Sequence, residues 1–468
     1  MRQIIAPFIP ILAIAASPAV ASQRAADLTK AEAQTLDLAK RLIAIRSVRG
    51  PENRTAEAQQ VVKAALTQAG WLDKDVEIVP VDDTAYLVAT WPGSDPSLGP
   101  LVISGHIDVV AADPKDWTRD PFTPVVENGY LFGRGASDMK FDAALGTATL
   151  IALRQAGYRP RRTVVLEFSG DEETTMKTSR LIAERLKNAE MVINIDGGGG
   201  TFDETSGKPL YWTWQGAEKT YDDYELEMTN PGGHSSAPRP DNAIVQLAQA
   251  LDRVGSYRFP AELSPLTKAY FEQAARFEVN PALAGAMRAF AANPQDAAAL
   301  ETLRANPAYV GKVGTTCVPT MISGGHAQNA LPQRVTANVN CRIFPGHSRE
   351  EIRAALEKIA AMPGLKVTAV SGEDSIASPA SPLRPDFIAA AQTALAKAWP
   401  GTPMFPSQAS GASDSMWFRA LGVPSYGASP LFSKDSDDFS HGLNERIALR
   451  NTRPALIYYT SLFTALSK

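Results

Sequence analysis

Three short apolar runs, each closing on an acid or a histidine, constrain this chain more than any other feature. Val102-Ile103-Ser104-Gly105 leads into His106-Ile107-Asp108. Val164-Val165-Leu166-Glu167-Phe168 leads into Ser169-Gly170-Asp171-Glu172-Glu173, and Ile193-Asn194-Ile195 into Asp196. Runs of this length, rich in Val and Ile and bounded by glycine and charge, read as buried strands. Helical periods around Ala143 to Ala156 and Arg180 to Leu186 lie between them. Such alternation predicts an α/β fold, a mostly parallel sheet covered by helices on both faces. The carboxyl ends of its strands converge on one cleft, where adjacent carboxylates repel unless a cation or substrate holds them together.

Further helical periods at 29 to 48 and 56 to 70, and strand-like runs at 76 to 81 and 85 to 89, extend the same style towards the N-terminus. It changes near Gly216. Thr220 to Thr229 alternates as a strand with one wet face, Asn242 to Val254 is helical, Cys317 to Ser323 and Arg334 to Ile343 are strands, Glu350 to Ala361 is a helix and Leu365 to Val370 a last strand. The order β-α-β-β-α-β predicts a smaller α+β domain with helices on one antiparallel sheet. Its span is 216–373, with an Ala-rich helical insertion at about 255–314. It interrupts a larger domain formed by 22–215 and 374–468. Two domains also fit the length, since 468 residues exceed what one core usually serves.

Arg2, the apolar stretch Ile4 to Ala16 and the small residues Ala19-Val20-Ala21 before Ser22 predict a cleaved secretory signal at 1–21 and a periplasmic or secreted protein. No later run is long and apolar enough to cross a membrane. With 46 basic against 50 acidic residues, the net charge of −4 gives no electrostatic reason to expect nucleic acid. The two cysteines, Cys317 and Cys341, flank a predicted hairpin nearly opposite one another. A bridge and two buried free thiols both remain open.

The chemistry gathers at strand ends. A carboxylate two residues after His106, at Asp108, is the usual companion that orients a metal-bound imidazole. Gly133-Arg134-Gly135-Ala136-Ser137-Asp138-Met139-Lys140 sets an Asp after a glycine turn and before a helix, a position that alone would suggest an N-cap. Phe439-Ser440-His441-Gly442 supplies a second histidine far downstream. Carboxylates with imidazole and no thiolate suit Zn²⁺ or a similar divalent ion, and there are enough of them for two.

In this order the motifs resemble metallopeptidase family 20, the co-catalytic zinc exopeptidases and aminoacylases, over nearly the whole mature chain. The resemblance implies two Zn²⁺ per subunit, with Co²⁺ or Mn²⁺ as substitutes. Asp138 would bridge them, His106 and Asp196 would complete one, and Glu173 and His441 the other. Asp108 would orient His106, and Glu172 would act as general base. Asn230-Pro231-Gly232-Gly233-His234-Ser235 looks like the family loop whose histidine donates to the substrate carbonyl, often across a homodimer interface. Asn329 and Arg342 match positions that hold a substrate carboxylate, and Gly427 matches a backbone contact near the substrate. The small domain would then be a lid and dimerisation domain. Two features depart from the pattern. Phe141-Asp142 replaces a small glycine pair, and the insertion at 255–314 lengthens the lid. His326 is a further candidate for substrate contact, and His347 reads as structural.

The implied activity is hydrolysis of an amide bond by an exopeptidase, a carboxypeptidase or dipeptidase acting on dipeptides or short peptides. An N-acyl-amino-acid deacylase is the alternative within enzymes. A non-catalytic binding protein on the same fold would lack a ligand or the base, and every one of them is present.

Overall fold

The computed structural model describes residues 25–373 and 375–468. The expected signal at 1–21 lies outside the described residues, as does Asp374, the expected start of the second segment of the large domain. The large sheet has ten strands in the spatial order Val76–Val81, Thr84–Trp91, Val164–Ser169, Leu101–His106, Met191–Asn194, Ser425–Gly427, Pro209–Glu218, Gly199–Phe202 and Phe432–Ser433, with Met404–Ala409 also paired to Pro209–Glu218. Leu101–His106 runs parallel to both Val164–Ser169 and Met191–Asn194, and the latter is parallel to Ser425–Gly427. All residues of these four strands are buried, which is why they lack polar alternation. Helices Leu28–Ile43, Lys140–Gln155, Pro385–Ala398 and Thr452–Leu466 share one large apolar cluster with the sheet. Helices Lys177–Arg185 and Ser415–Ala420 contribute Ile182, Ala183, Trp417 and Phe418 to a second cluster with Val102, Val165 and Val192 of the strands. Alternate side chains along one strand thus enter different cores, as a sheet covered on both faces requires.

A second sheet, in the order Thr316–Gly324, Arg334–Ile343, Thr220–Thr229 and Lys366–Ala369, is antiparallel throughout. Helices Ala243–Ser256 and Arg349–Ala360 bury Leu247, Val254, Ile352 and Leu356 against Tyr224, Leu226 and Val339. Burial alternates strictly along Thr220–Thr229 and Arg334–Ile343. The face opposite the helices therefore carries Tyr221, Asp223 and Arg342. Cys317 and Cys341 are cross-strand partners and form a disulfide, with S–S 1.99 Å and Cα–Cα 4.1 Å, which closes the alternative left open by the sequence.

The insertion corrects one expectation. Its helices Pro265–Ala274, Pro281–Ala292 and Ala297–Arg304 bury Phe271, Met287, Phe290 and Leu303 together with Phe405 of the large sheet. Tyr211 of that sheet lies 5.1 Å from Phe405 and 5.4 Å from Phe277, ring centre to ring centre. The segment braces the edge of the large sheet rather than lengthening the lid, because its apolar faces find their partners there.

Candidate active site

His106 ends the strand Leu101–His106, Glu172 and Glu173 follow Val164–Ser169, and Asp196 follows Met191–Asn194. Parallel register brings these three strand ends together. Asp138 stands just before the helix Lys140–Gln155, which has no side-chain cap. The Asp138 carboxylate lies instead between two imidazoles, at 3.1 Å from His106 Nε2 and 3.1 Å from His441 Nε2. His106 Nε2 also lies 3.6 Å from Asp196 Oδ1, and His441 Nε2 lies 2.9 Å from Glu173 Oε1. Ligand atoms of His106, Asp138 and Glu173 all fall within 4.8 Å of one another, a spacing that could hold a metal ion. The two imidazoles with Asp138, Glu173 and Asp196 are thus brought together as the sequence order suggested.

The loops that carry these side chains are fixed by buried acceptors. His106 Nδ1 is 3.1 Å from the Asp108 carbonyl and 3.6 Å from its carboxylate, so the carbonyl is the nearer partner holding the ring with Nε2 inward. The Asp108 carboxylate accepts the amides of Glu172 and Glu173 at 3.2 and 3.1 Å and thereby sets the turn of the acidic pair. Asp171, fully buried, accepts the amides of Lys177 and Thr178, each at 2.9 Å, and Arg49 Nη1 at 3.1 Å. Sequence reasoning gave no role to Glu445. Its Oε1 accepts the amides of Ser137 and Asp138 at 2.8 and 2.9 Å, and its Oε2 accepts Gly135 N at 3.0 Å and Arg134 Nη1 at 2.7 Å. It holds the glycine turn that presents Asp138. Its place four residues after His441 was visible in the sequence, but a partner some three hundred residues upstream was not.

The electrostatics call for positive charge. Burial lifts Glu172, Glu173 and Asp196 above the ordinary carboxylate range. Burial opposes charge on His106 as well, yet Asp196, Asp108 and Asp138 hold its protonated form well above the usual imidazole range. Hydrogen bonds to Asp138 and Glu173 push His441 up to about 10. Asp138 stays low despite burial, because both imidazoles face it. Asp138, Glu172, Glu173 and Asp196 carry four negative charges when ionised, which two protonated imidazoles only half offset and two divalent ions beside neutral imidazoles would match. The donor set fits a pair of metal ions.

A cavity of about 580 Å³ opens above this cluster, lined by Asp138, Glu172, Glu173, Asp196 and His441 on one side and by Tyr221 and Arg342 of the small sheet on the other. Arg342 lies over the Tyr221 ring at 4.7 Å, and no carboxylate among the described residues forms an ion pair with it. Glu172 is 9% exposed, and its carboxylate makes no hydrogen bond among the described residues, whereas that of Glu173 is engaged by His441.

Three expected substrate residues lie elsewhere in a single chain. His234 is exposed, with its Nδ1 2.7 Å from Ser236 Oγ, on the strand Gly233–His234 that pairs with Ala330–Leu331. The Asn329 carbonyl accepts Ser235 N at 2.9 Å beside it. Neither lines the cavity. Gly427 is buried behind Asp196, where a Cβ would come within 2.8 Å of the Gly197 carbonyl carbon; the glycine permits backbone packing there rather than reaching the cavity. His326 is exposed, and His347 Nε2 meets Glu262 at 2.7 Å, a structural contact. Asp142, part of the unusual Phe141-Asp142 pair, is buried and accepts Tyr459 OH at 2.8 Å and Ser429 Oγ at 2.9 Å, and burial pushes it up to about 8. The Asp142 carboxyl is thus held by Tyr459 of the C-terminal helix and by Ser429.

Solved structures of known proteins share this fold. A metallo-carboxypeptidase from Sulfolobus solfataricus shares the fold with TM-score 0.70 at 18% identity, covering 92% of this chain and 98% of that one. A Bacillus subtilis protein described as a dinuclear metal binding peptidase follows with TM-score 0.56 at 15% identity over 94% of this chain and 99% of its own. The N-fatty-acyl-amino acid synthase/hydrolase PM20D1 of Xenopus tropicalis is 27% identical over 388 residues, which is 79% of this chain and 73% of the relative. Residues 102–465 match the profile of peptidase family M20/M25/M40, so the chain belongs to that family and is a metallohydrolase of peptide or amide bonds.

Proposed function

We propose that this chain is a di-zinc exopeptidase, a carboxypeptidase or dipeptidase that releases the C-terminal amino acid of dipeptides or short peptides. The observation that carries the reading is the single cavity in which the histidine and carboxylate cluster faces the guanidinium of Arg342, which has no ion-pair partner among the described residues. Asp138 would be shared by the two ions, His106 and Asp196 would complete one set of donors, and Glu173 and His441 the other; Co²⁺ or Mn²⁺ would fit the same donors. Ions held there would polarise the scissile carbonyl and acidify a water. Arg342 binds the substrate carboxylate through its planar fork and so fixes which amide lies over the cluster. Glu172, free of other partners and raised by burial, takes a proton from the attacking water and delivers it to the leaving amine as the C–N bond breaks.

Replacing Glu172 with Gln removes the proton carrier and leaves the donors in place. Metal content by atomic emission is expected to stay unchanged while kcat falls roughly 10²–10⁴-fold. An active variant with intact metal would overturn the assignment. An N-acyl-amino-acid deacylase is the second reading, favoured by the similarity to PM20D1. A panel of dipeptides beside N-acetyl amino acids separates the two.

His234 and Asn329 enter the reading through a homodimer. The edge strand Thr316–Gly324 exposes Val318, Met321 and Ile322 at 57%, 72% and 61%, and helix Ala243–Ser256 exposes Ile244 and Val245. An exposed apolar strand edge invites pairing with a second copy. In such a dimer each chain would lend His234 to the other's substrate carbonyl. The sequence of 1–21 and the disulfide support an extracytoplasmic site of action.

A further inference from the structure

Asp138 and Asp196 also line a second cavity, of about 360 Å³, and they are the only residues it shares with the cavity that holds Glu172 and Arg342. A third space, of about 450 Å³, shares Tyr130, Lys434, Ala448 and Arg450 with the second and reaches residues 205–207. The cluster therefore has room on both sides. One side is the Arg342 cavity. The other is a two-part groove leading away from it, and each part lies in the volume range of ordinary ligand pockets.

For a substrate whose carboxylate is forked by Arg342, this groove is the space that continues past Asp138 and Asp196 on the far side of the cluster. The inner part is lined mainly by polar groups of both signs of charge, with Phe202, Leu431, Phe432 and Ile447 between them, and the outer part mixes polar and apolar surface. Asp142 and Ser429 stand at the inner end, with Asp435, Asp438, Lys434 and Arg450 further out. Lys434 Nζ donates to the Glu204 carbonyl at 2.7 Å, while Arg450 lies over the Phe202 ring at 3.6 Å and donates to the Gly207 carbonyl at 3.1 Å. Arg446 is matched to Asp437 at 2.8 Å. The groove thus offers hydrogen-bonding partners along its length, and its opposite charges favour neither an anionic nor a cationic chain as a whole. A long alkyl chain laid along the charged stretches would forgo the roughly fourfold gain in affinity that each methylene obtains from an apolar wall.

We infer that the groove receives the acyl side as peptide extending beyond one residue. The enzyme then releases C-terminal residues from tripeptides and longer peptides as readily as from dipeptides, and discriminates against N-fatty-acyl amino acids. This inference rests on the proposed role of Arg342 at the carboxylate.

The test uses metal-loaded full-length protein and four substrates ending in alanine: Gln-Ala, Ser-Gln-Ala, N-acetyl-Ala and N-octanoyl-Ala, with released alanine measured. Ser-Gln-Ala is expected to match or exceed Gln-Ala in kcat/KM and to exceed N-octanoyl-Ala by about tenfold or more. Calorimetry on the Glu172→Gln protein should give the same order of affinity. Arg450→Ala should lower the ratio of tripeptide to dipeptide kcat/KM by about threefold. Hydrolysis of N-octanoyl-Ala at or above the rate of Ser-Gln-Ala, or a tripeptide about tenfold poorer than the dipeptide, overturns the inference and leaves the exopeptidase or deacylase chemistry standing. Release of no alanine from any of the four overturns the proposed function and the inference with it.

Discussion

Replacing Glu445 with Gln probes how Asp138 is held. The Glu445 carboxylate is fully buried, and Arg134, its ion-pair partner, is 3% exposed. Both oxygens face donors: the amides of Ser137 and Asp138 at Oε1, and Gly135 N with Arg134 Nη1 at Oε2. Glutamine keeps one acceptor and turns the other into an NH₂ group that points at donors. Whichever way the amide settles, at least two charge-assisted bonds are lost and Arg134 faces no charge. Removing one partner of such a buried pair costs about 3–5 kcal/mol. In a domain of this size that lowers Tm by roughly 5–8 °C. The consequence at the site is separate, because the turn 134–138 presents Asp138 to both imidazoles. Loss of an outer partner of a ligand typically costs about 10–100-fold in metal affinity. Differential scanning calorimetry of the protein without added metal reads the first effect, and competition with a chelator at a temperature where the variant is folded reads the second. A variant whose Tm falls while its metal affinity stays within about twofold of wild type would refute the view that Glu445 positions Asp138. An unchanged Tm would refute the buried-pair argument altogether.

Three further outcomes follow from the same structure. Sedimentation velocity should show a dimer, and Met321→Glu on the edge strand should convert it to monomer and lower kcat with metal bound; a fully active monomer sinks the shared role of His234. N-terminal sequencing of the protein exported by its host should begin at Ser22, and an intact Met1 in the exported protein would remove the signal reading. Replacing both Cys317 and Cys341 with Ser should destabilise the chain by roughly 3–4 kcal/mol, as the entropy of a closed loop of this span predicts. An unchanged denaturant midpoint would show that the bridge constrains nothing.

Much of the catalytic half was legible because strand ends are local features. An apolar run closing on His106, on Glu172 and Glu173, or on Asp196 is visible over a few residues, and parallel pairing brings such ends to one rim without further instruction. Strict two-residue alternation likewise put Arg342 on the wet face of its strand, with Cys341 and Ile343 on the buried one. His441 stood out through its motif alone, since no apolar strand leads into it.

By itself the sequence determined the element types, the family and the order of the donors, because these depend on period, residue chemistry and spacing along the chain. Only the tertiary structure decided that Glu445 secures the Asp138 turn, that the Asp108 carboxylate sets the acidic pair while its carbonyl faces His106, and that the insertion braces the large sheet. It also decided that His234 and Asn329 stand apart from the cluster in a single chain, and that a groove leaves the cluster on the side away from Arg342. Each of these depends on which surfaces meet after folding. Contacts between residues hundreds of positions apart are selected by packing and charge in three dimensions, and no local pattern encodes them.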